Sequence, residues 1–296
     1  MNKEYPETMQ EFMDRFPDEE ACRSYLAEVR WGGAFTCPCC SSNTAWKIRR
    51  GKFRCALCGR DMSVTAGTVF QHTRIPLRLW FQAIWCLVSQ KHGASALGLS
   101  RVLGISRQKT GWHLLRKIRS AMVRPGRERL SGVVEVDEVF IGGVRARIGG
   151  RSSIGKTLIL IAAEDKIRTF GRIRIQIIPD ASFRSLSFAV EAMIDSGSTL
   201  HTDGWLGYRG IEKRGYRHVI TERKPSLPGD DPTPLVHRIA SLLKRWLLGT
   251  HQGGVQPARL QAYLDEFVFR FNRRTSRSRG KLFFRLIQHM THPKVV

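Results

Sequence analysis

Acidic residues are scarce in this 296-residue chain: 25 Asp and Glu stand against 49 Lys and Arg, a formal net charge of +24. The sequence lacks any run of about 18 apolar residues, which excludes a membrane-spanning helix. No basic segment followed by an apolar stretch opens it, so a secretory leader is not expected. Cysteine is sparse and odd in number, seven in all, which argues against a disulfide framework. No internal repeat is apparent. What remains is a globular chain with an ordinary hydrophobic fraction of 42%, long enough for one large domain and one or two small modules. Its basic surface attracts a polyanion, and nucleic acid fits better than an anionic membrane because the basic residues are mostly Arg, the better fork for phosphate.

Residues 1–30 invert the charge bias, with Glu4, Glu7, Glu11, Asp14, Asp18, Glu19, Glu20 and Glu28. Apolar positions at Met9, Phe12, Met13 and Phe16, then Cys22, Tyr25, Leu26 and Val29, predict two short amphipathic helices broken at Pro17. Packing or partner contact is their expected role. Residues 31–70 then hold Cys37-Pro38-Cys39-Cys40 and Cys55-Ala56-Leu57-Cys58, two CxxC pairs about fifteen residues apart. That is the spacing of a four-thiolate zinc ribbon. Two intervening residues favour Cys37, Cys40, Cys55 and Cys58 as the Zn²⁺ ligands, with Cys39 the competitor for the place of Cys40. Between the pairs, residues 46–54 read as a basic, aromatic β-hairpin suited to touch DNA.

Residues 71–130 predict a buried helix at 77–88, a short helix at 94–103, a turn at Gly104-Ile105-Ser106 and a second helix at 107–123 capped by Ser106. Helix, glycine-containing turn, helix is the helix-turn-helix pattern. Arg107, Gln108, Lys109, Trp112 and His113 would then meet base edges, with Arg116, Lys117 and Arg119 near phosphates. A helical hairpin with a solvated basic face is the plainer alternative.

From residue 131 to 296 the pattern changes. Residues 133–141 form an apolar strand that carries Glu135, Asp137 and Glu138. On a strand Glu135 and Asp137 share one face and Glu138 takes the other. Carboxylates concentrated in an apolar strand of an acid-poor chain point to a metal site, since buried charge must be paired or metal-bound. The pattern alone does not choose among the three, and a half-exposed edge strand is the alternative. Strands at 157–163 and 172–178, a helix at 185–194, a strand at 199–202 ending in Asp203, a strand at 218–221, and helices at 235–248 and 257–270 complete the order of an RNase-H-like α/β domain. Gly150 to Thr157 matches the phosphate loop GxxxxGK[ST], but the residues after it are strand-like rather than helical, so a glycine-rich hairpin is expected. The basic stretch 270–281, including Arg273 and Arg274, is expected to meet the DNA backbone, with Phe283, Phe284, Leu286 and Ile287 docking the segment behind it.

These residues together resemble the bacterial insertion-sequence DDE transposases that join an N-terminal zinc ribbon to an RNase-H-like catalytic domain. The resemblance is carried by the CxxC pairs, Thr65-Ala66-Gly67-Thr68-Val69-Phe70, Val134-Glu135-Val136-Asp137-Glu138 with Ile141-Gly142-Gly143, His201-Thr202-Asp203-Gly204-Trp205 with Gly207-Tyr208, Ser241-Leu242-Leu243-Lys244-Arg245, and Phe271-Asn272-Arg273-Arg274. It implies double-stranded DNA as partner, a homodimer or larger assembly during reaction, a cytoplasmic, nucleoid-associated location, and Mg²⁺ or Mn²⁺ held by Asp137 and Asp203. Glu135 becomes a neighbour placed to orient metal water. The third position departs from the commonest pattern: related members carry Glu where this chain has His237, with Lys244 two helical turns later. Asp265 and Glu266 are the alternative third acids, and a pairing of His237 with Asp230 or Asp231 is the plainer role for the histidine. A DNA-binding regulator without catalysis and a nuclease without joining are the other functions this pattern allows.

Overall fold

The computed structural model describes residues 5–124, 126–142, 155–167, 169–221, 231, 233–251 and 255–292. In chain order the elements are helices α1 (Met9–Arg15) and α2 (Glu19–Trp31), then strands β1 (Ala45–Ile48), β2 (Lys52–Cys55) and β3 (Asp61–Ser63). Helices α3 (Leu77–Ser89), α4 (Ala96–Val102) and α5 (Gln108–Ser120) follow, then strands β4 (Val133–Ile141), β5 (Thr157–Lys166) and β6 (Thr169–Ile177). Helix α6 (Phe183–Met193), strands β7 (Thr199–Thr202) and β8 (Arg217–Ile220), and helices α7 (Pro234–His251), α8 (Pro257–Phe271) and α9 (Arg279–Thr291) complete the chain. The expected phosphate-loop residues 150–154 and Asp230 lie outside the described residues.

Two compact units form: Met1–Arg124 with Ser276–Val296, and Pro125–Thr275. In the first, Thr8 and Asp18 cap α1 and α2 by accepting from the amides of Glu11 and Ala21, on either side of Pro17. Their apolar stripes and that of α3 meet α9 in an aromatic cluster, where Phe283 lies 5.6 Å from Phe12, 5.7 Å from Phe16 and 5.6 Å from Phe81, centroid to centroid. Residues 276–296, which the sequence reading groups with the catalytic domain, cluster with the first unit. The stripe Leu282, Phe283, Leu286, Ile287 and Met290 is buried, and its partners are the N-terminal aromatics. Gly111 lets α5 cross α4 closely, since a Cβ there would fall 2.2 Å from Ser100 Oγ.

The second unit is a five-stranded sheet ordered β6-β5-β4-β7-β8. β4, β5 and β6 pair antiparallel, whereas β7 lies parallel to β4 and to β8. Helices cover both faces, which explains why β5 reads as an unbroken apolar run. Val134, Val136, Leu158, Leu160 and Ala162 pack with α6. Ile159, Ile161, Ala163, Ile173 and Ile175 pack with α7 and α8. Three antiparallel strands, a crossover helix and parallel strands beside the first form the RNase-H-like arrangement the element order predicts.

Candidate functional site

The first site is the ribbon. Each knuckle is a turn closed by a backbone hydrogen bond, Ser41 N–H to Cys37 O at 2.8 Å and Gly59 N–H to Cys55 O at 3.0 Å. The sulfurs of Cys37, Cys40, Cys55 and Cys58 all lie within 4.8 Å of one another. Cys39 is exposed and outside that group, which settles its competition with Cys40. The amides of Cys58 and Leu57 outweigh burial and pull the Cys55 thiol down to about 6, and the amides of Cys40 and Cys39 lower Cys37 in the same way. Thiolates formed at this spacing fit tetrahedral Zn²⁺.

The second site gathers on β4. The register pairs Glu135 with His201; β7 ends one residue later at Thr202, and Asp203 follows it near enough to Asp137 for the two charges to interact. Asp137 is buried, and three groups meet it. The amide of Glu138 donates to Oδ1 at 2.7 Å, the hydroxyl of Thr233 donates to Oδ2 at 3.2 Å, and His237 Nε2 stands 3.0 Å from Oδ2. The other imidazole nitrogen, Nδ1, stands 2.6 Å from Asp231 Oδ1. The chain Asp137–His237–Asp231 therefore contains the pairing expected of a helix-start histidine and also turns that histidine toward the strand. Burial first, and then the charge of Asp203, push the Asp137 carboxyl above its usual range, against His237, the Glu138 amide and Thr233. Asp203 is exposed, and its Oδ1 accepts from Trp205 N–H at 3.0 Å.

The neighbouring acids divide as the pleat requires. Glu138 turns to the α6 face, where buried Tyr208 donates to its Oε2 at 2.7 Å. Burial pushes the Glu138 carboxyl up to about 7 despite that bond. Glu135 shares the face of Asp137, but its role differs from the one expected. Its Oε2 accepts from Leu235 N–H at 2.8 Å and Val236 N–H at 3.2 Å, so it anchors the start of α7 rather than standing free to orient water. Sequence reasoning missed Thr233. Its signal was a Thr-Pro pair just ahead of an apolar-periodic helix, where capping residues sit.

Lys244 is exposed on α7, two turns after His237. Asp265 and Glu266 serve elsewhere: Gln261 Nε2 donates to Asp265 at 3.0 Å, and buried Glu266 pairs with Arg270 at 2.9 Å. On α5, Arg107, Gln108, Lys109, His113 and Arg116 are exposed, and the Arg116 guanidinium lies over the Trp112 ring at 5.7 Å. Three expectations for this region change. Arg107, not Ser106, takes the cap position, with no side-chain hydrogen bond. Lys117 turns inward to Val69 O at 3.3 Å, and buried Arg119 donates to Ala94 O at 3.3 Å, so neither faces phosphate. Arg273 donates to Phe269 O at 3.3 Å and Arg274 to Phe271 O at 2.9 Å, with Phe170 O also an acceptor for Arg274. Both lie at the carboxyl end of α8, Arg273 half-buried and Arg274 exposed; the sequence reading places them on the DNA backbone.

A zinc ribbon joined to an RNase-H-like α/β domain is the class of protein these features define. Residues 17–61 match the transposase zinc-ribbon domain, and residues 129–272 match the ISXO2-like transposase domain. Over 287 residues the chain is 28% identical to "Uncharacterized protein in transposable element ISH50" of Halobacterium salinarum, across 90% of this chain and 94% of that one. The catalytic core domain of BIV integrase aligns with 50% of this chain and 87% of its own at 19% identity and a TM-score of 0.35; the strand order itself, not that superposition, carries the fold assignment. The chain thus carries a transposase zinc-ribbon domain followed by an ISXO2-like transposase domain. Among the described residues, no helix is long and apolar enough to cross a membrane.

Proposed function

We propose that this transposase binds the terminal inverted repeats of its element and catalyses metal-dependent cleavage and strand transfer of DNA. The observation that carries this reading is the buried Asp137 carboxylate on β4, with His237 Nε2 3.0 Å from it and Asp203, just past the end of β7, near enough for its charge to act on Asp137. The donor set suits a divalent cation, since two aspartates offer hard oxygens and, after burial, the Asp203 repulsion that lifts Asp137 is one a cation removes. Asp137, Asp203 and His237 would hold Mg²⁺ or Mn²⁺, the imidazole favouring Mn²⁺. Bound there, the ion supplies Lewis-acid activation of the attacking oxygen and neutralises charge on the leaving oxygen of an in-line phosphoryl transfer.

The chain's own residues prepare that site. Thr233 fixes the Asp137 carboxylate by donating to Oδ2, Asp231 fixes the orientation of the His237 ring, and Lys244 offers a cation for the DNA phosphate along the same helix. The exposed Arg107, Gln108, Lys109, His113 and Arg116, with half-buried Trp112 among them, read the element ends in the major groove. Joining two ends requires at least a homodimer, acting at the nucleoid in the cytoplasm. The test uses zinc-loaded full-length protein, labelled element ends, a target plasmid, and Mg²⁺ or Mn²⁺. A covalent end–target product that Asp137→Asn abolishes is the expected result. Binding without product identifies a regulator, and hydrolysis without joining a nuclease; either outcome overturns the proposal.

A further inference from the structure

Two residues beyond Asp203, the indole of Trp205 is 48% exposed, yet it is held firmly. Its Nε1 donates to Ala181 O at 3.0 Å, and its amide donates to Asp203 Oδ1 at 3.0 Å. Gly207 closes against it so tightly that a Cβ there would fall 2.3 Å from Ala181 O and 2.7 Å from the indole Nε1. An aromatic ring that is immobilised and still half in water contributes little to a core. It is a surface prepared for something flat.

Beside it opens a cleft of about 380 Å³, whose lining includes Asp203, Trp205, Arg209, Glu212, His218 and Ile220. Ile220, 51% exposed, forms an apolar wall, and Gly204 fits under it because a Cβ would lie 2.9 Å from Ile220 Cγ2. One of the two acids of the cleft, Glu212, is occupied: His218 Nδ1 lies 3.2 Å from Glu212 Oε1, and its Nε2 lies 2.9 Å from Thr202 Oγ1. Arg209 is exposed and supplies positive charge. The cleft thus combines a rigid aromatic face, an apolar wall, a guanidinium and the carboxylate of Asp203, in a chain of net charge +24.

We propose that this cleft holds one unpaired nucleotide of the DNA end, next to the phosphate that reacts, with its base stacked on Trp205 and its phosphate toward Arg209. The inference rests on the transposase reading of Asp137 and Asp203. A base inside a duplex is stacked on both faces, so only a nucleotide that has left the helix can use a lone aromatic platform. The volume fits one nucleotide and not a duplex segment.

The test measures binding by fluorescence anisotropy, with zinc-loaded full-length protein and labelled duplexes carrying the element's terminal sequence. One duplex is fully paired, one has its two end nucleotides unpaired by mismatch, and one carries an abasic site in the unpaired stretch. Wild type is expected to prefer the unpaired end over the paired end by roughly tenfold, the scale of one base–aromatic stack. Trp205→Ala should erase that preference, Trp205→Phe should keep most of it, and Arg209→Gln should weaken it. The abasic duplex should erase it for the unaltered protein, which keeps the test valid if Trp205→Ala misfolds. Equal affinity of wild type for the three duplexes overturns the proposal. So does a Trp205→Ala sample that loses paired and unpaired ends alike, or one whose DNA-free protein changes its sedimentation, which would make the cleft a contact between copies. Wild type that shows the preference but never joins ends to a target refutes the transposition reading alone; wild type that joins without the preference refutes the cleft alone.

Discussion

Removing the carboxylate of Glu135 should loosen the start of α7. Glu135 is 7% exposed and accepts from the amides of Leu235 and Val236 at 2.8 and 3.2 Å. Thr233 and His237, on either side of those amides, both touch Asp137. One side chain of β4 therefore holds the helix end against the strand that bears the acid. Glu135→Ala strips the acceptor from two amides and removes an anion from the positive end of the helix dipole. Losing a capping acceptor costs about 0.5–2 kcal/mol, and a hydrogen bond to a charged group contributes about 1.5–3 kcal/mol. Burial of the carboxylate works against this gain, and burial is the leading reason its carboxyl is held above the usual range. A net loss of about 2–3 kcal/mol is expected, and about 1 kcal/mol for Glu135→Gln, which keeps an acceptor. Hydrogen exchange followed by mass spectrometry reads this locally. Peptides covering Pro234–His251 should exchange roughly 30- to 150-fold faster in Glu135→Ala and less than tenfold faster in Glu135→Gln, while the ribbon is unchanged. Protection of α7 within twofold of wild type in Glu135→Ala would refute the anchoring argument.

Four further outcomes are expected. Cys40→Ser should lose the zinc released from wild type in a colorimetric assay while Cys39→Ser keeps it, because only Cys40 joins the four-sulfur group; the reverse result would reassign the ligand. Phe283→Ala should destabilise the first unit by about 3–5 kcal/mol in urea melts followed by tryptophan fluorescence, since Phe283 is fully buried among aromatics; a loss under about 1 kcal/mol would place the core elsewhere. Burial raises the Glu164 carboxyl, but the Arg172 side chain and the amides of Arg172 and Ser131 outweigh it and hold it below the usual range. The stability from that pair is complete above the unfolded glutamate range, near about pH 4.3, and is lost as pH falls through the lowered folded value. Glu164→Gln should therefore flatten the acid limb of the urea midpoint against pH, and an unchanged acid limb would discount the pair. Asp231→Ala frees the imidazole 2.6 Å away and should raise the Mn²⁺ concentration needed for half-maximal joining by roughly 10- to 100-fold; an unchanged metal dependence would remove Asp231 from the site.

Local chemistry was legible in the sequence. The ribbon could be read because a CxxC knuckle is a property of four consecutive residues and their backbone amides. The division of Glu135 and Asp137 from Glu138 followed from the two-residue pleat, and the strand at Thr199–Thr202 from its β-branched ends and the Asp-Gly turn behind it. Local rules failed where a side chain had a distant competitor. Lys117 and Arg119 carry the charge of phosphate contacts, yet carbonyls of Val69 and Ala94 hold them inward.

The sequence by itself determined the element order, the zinc chemistry and the face on which Asp137 points, because those depend on backbone periodicity and on ligands close together in the chain. Tertiary structure alone decided what surrounds Asp137. Glu135 meets Leu235 and Val236 across separations of 100 and 101 residues, and Thr233 meets Asp137 across 96. Sheet register and the docking of α7 set such contacts, and both are fixed by burial of apolar area summed over the domain rather than by any short stretch of the chain.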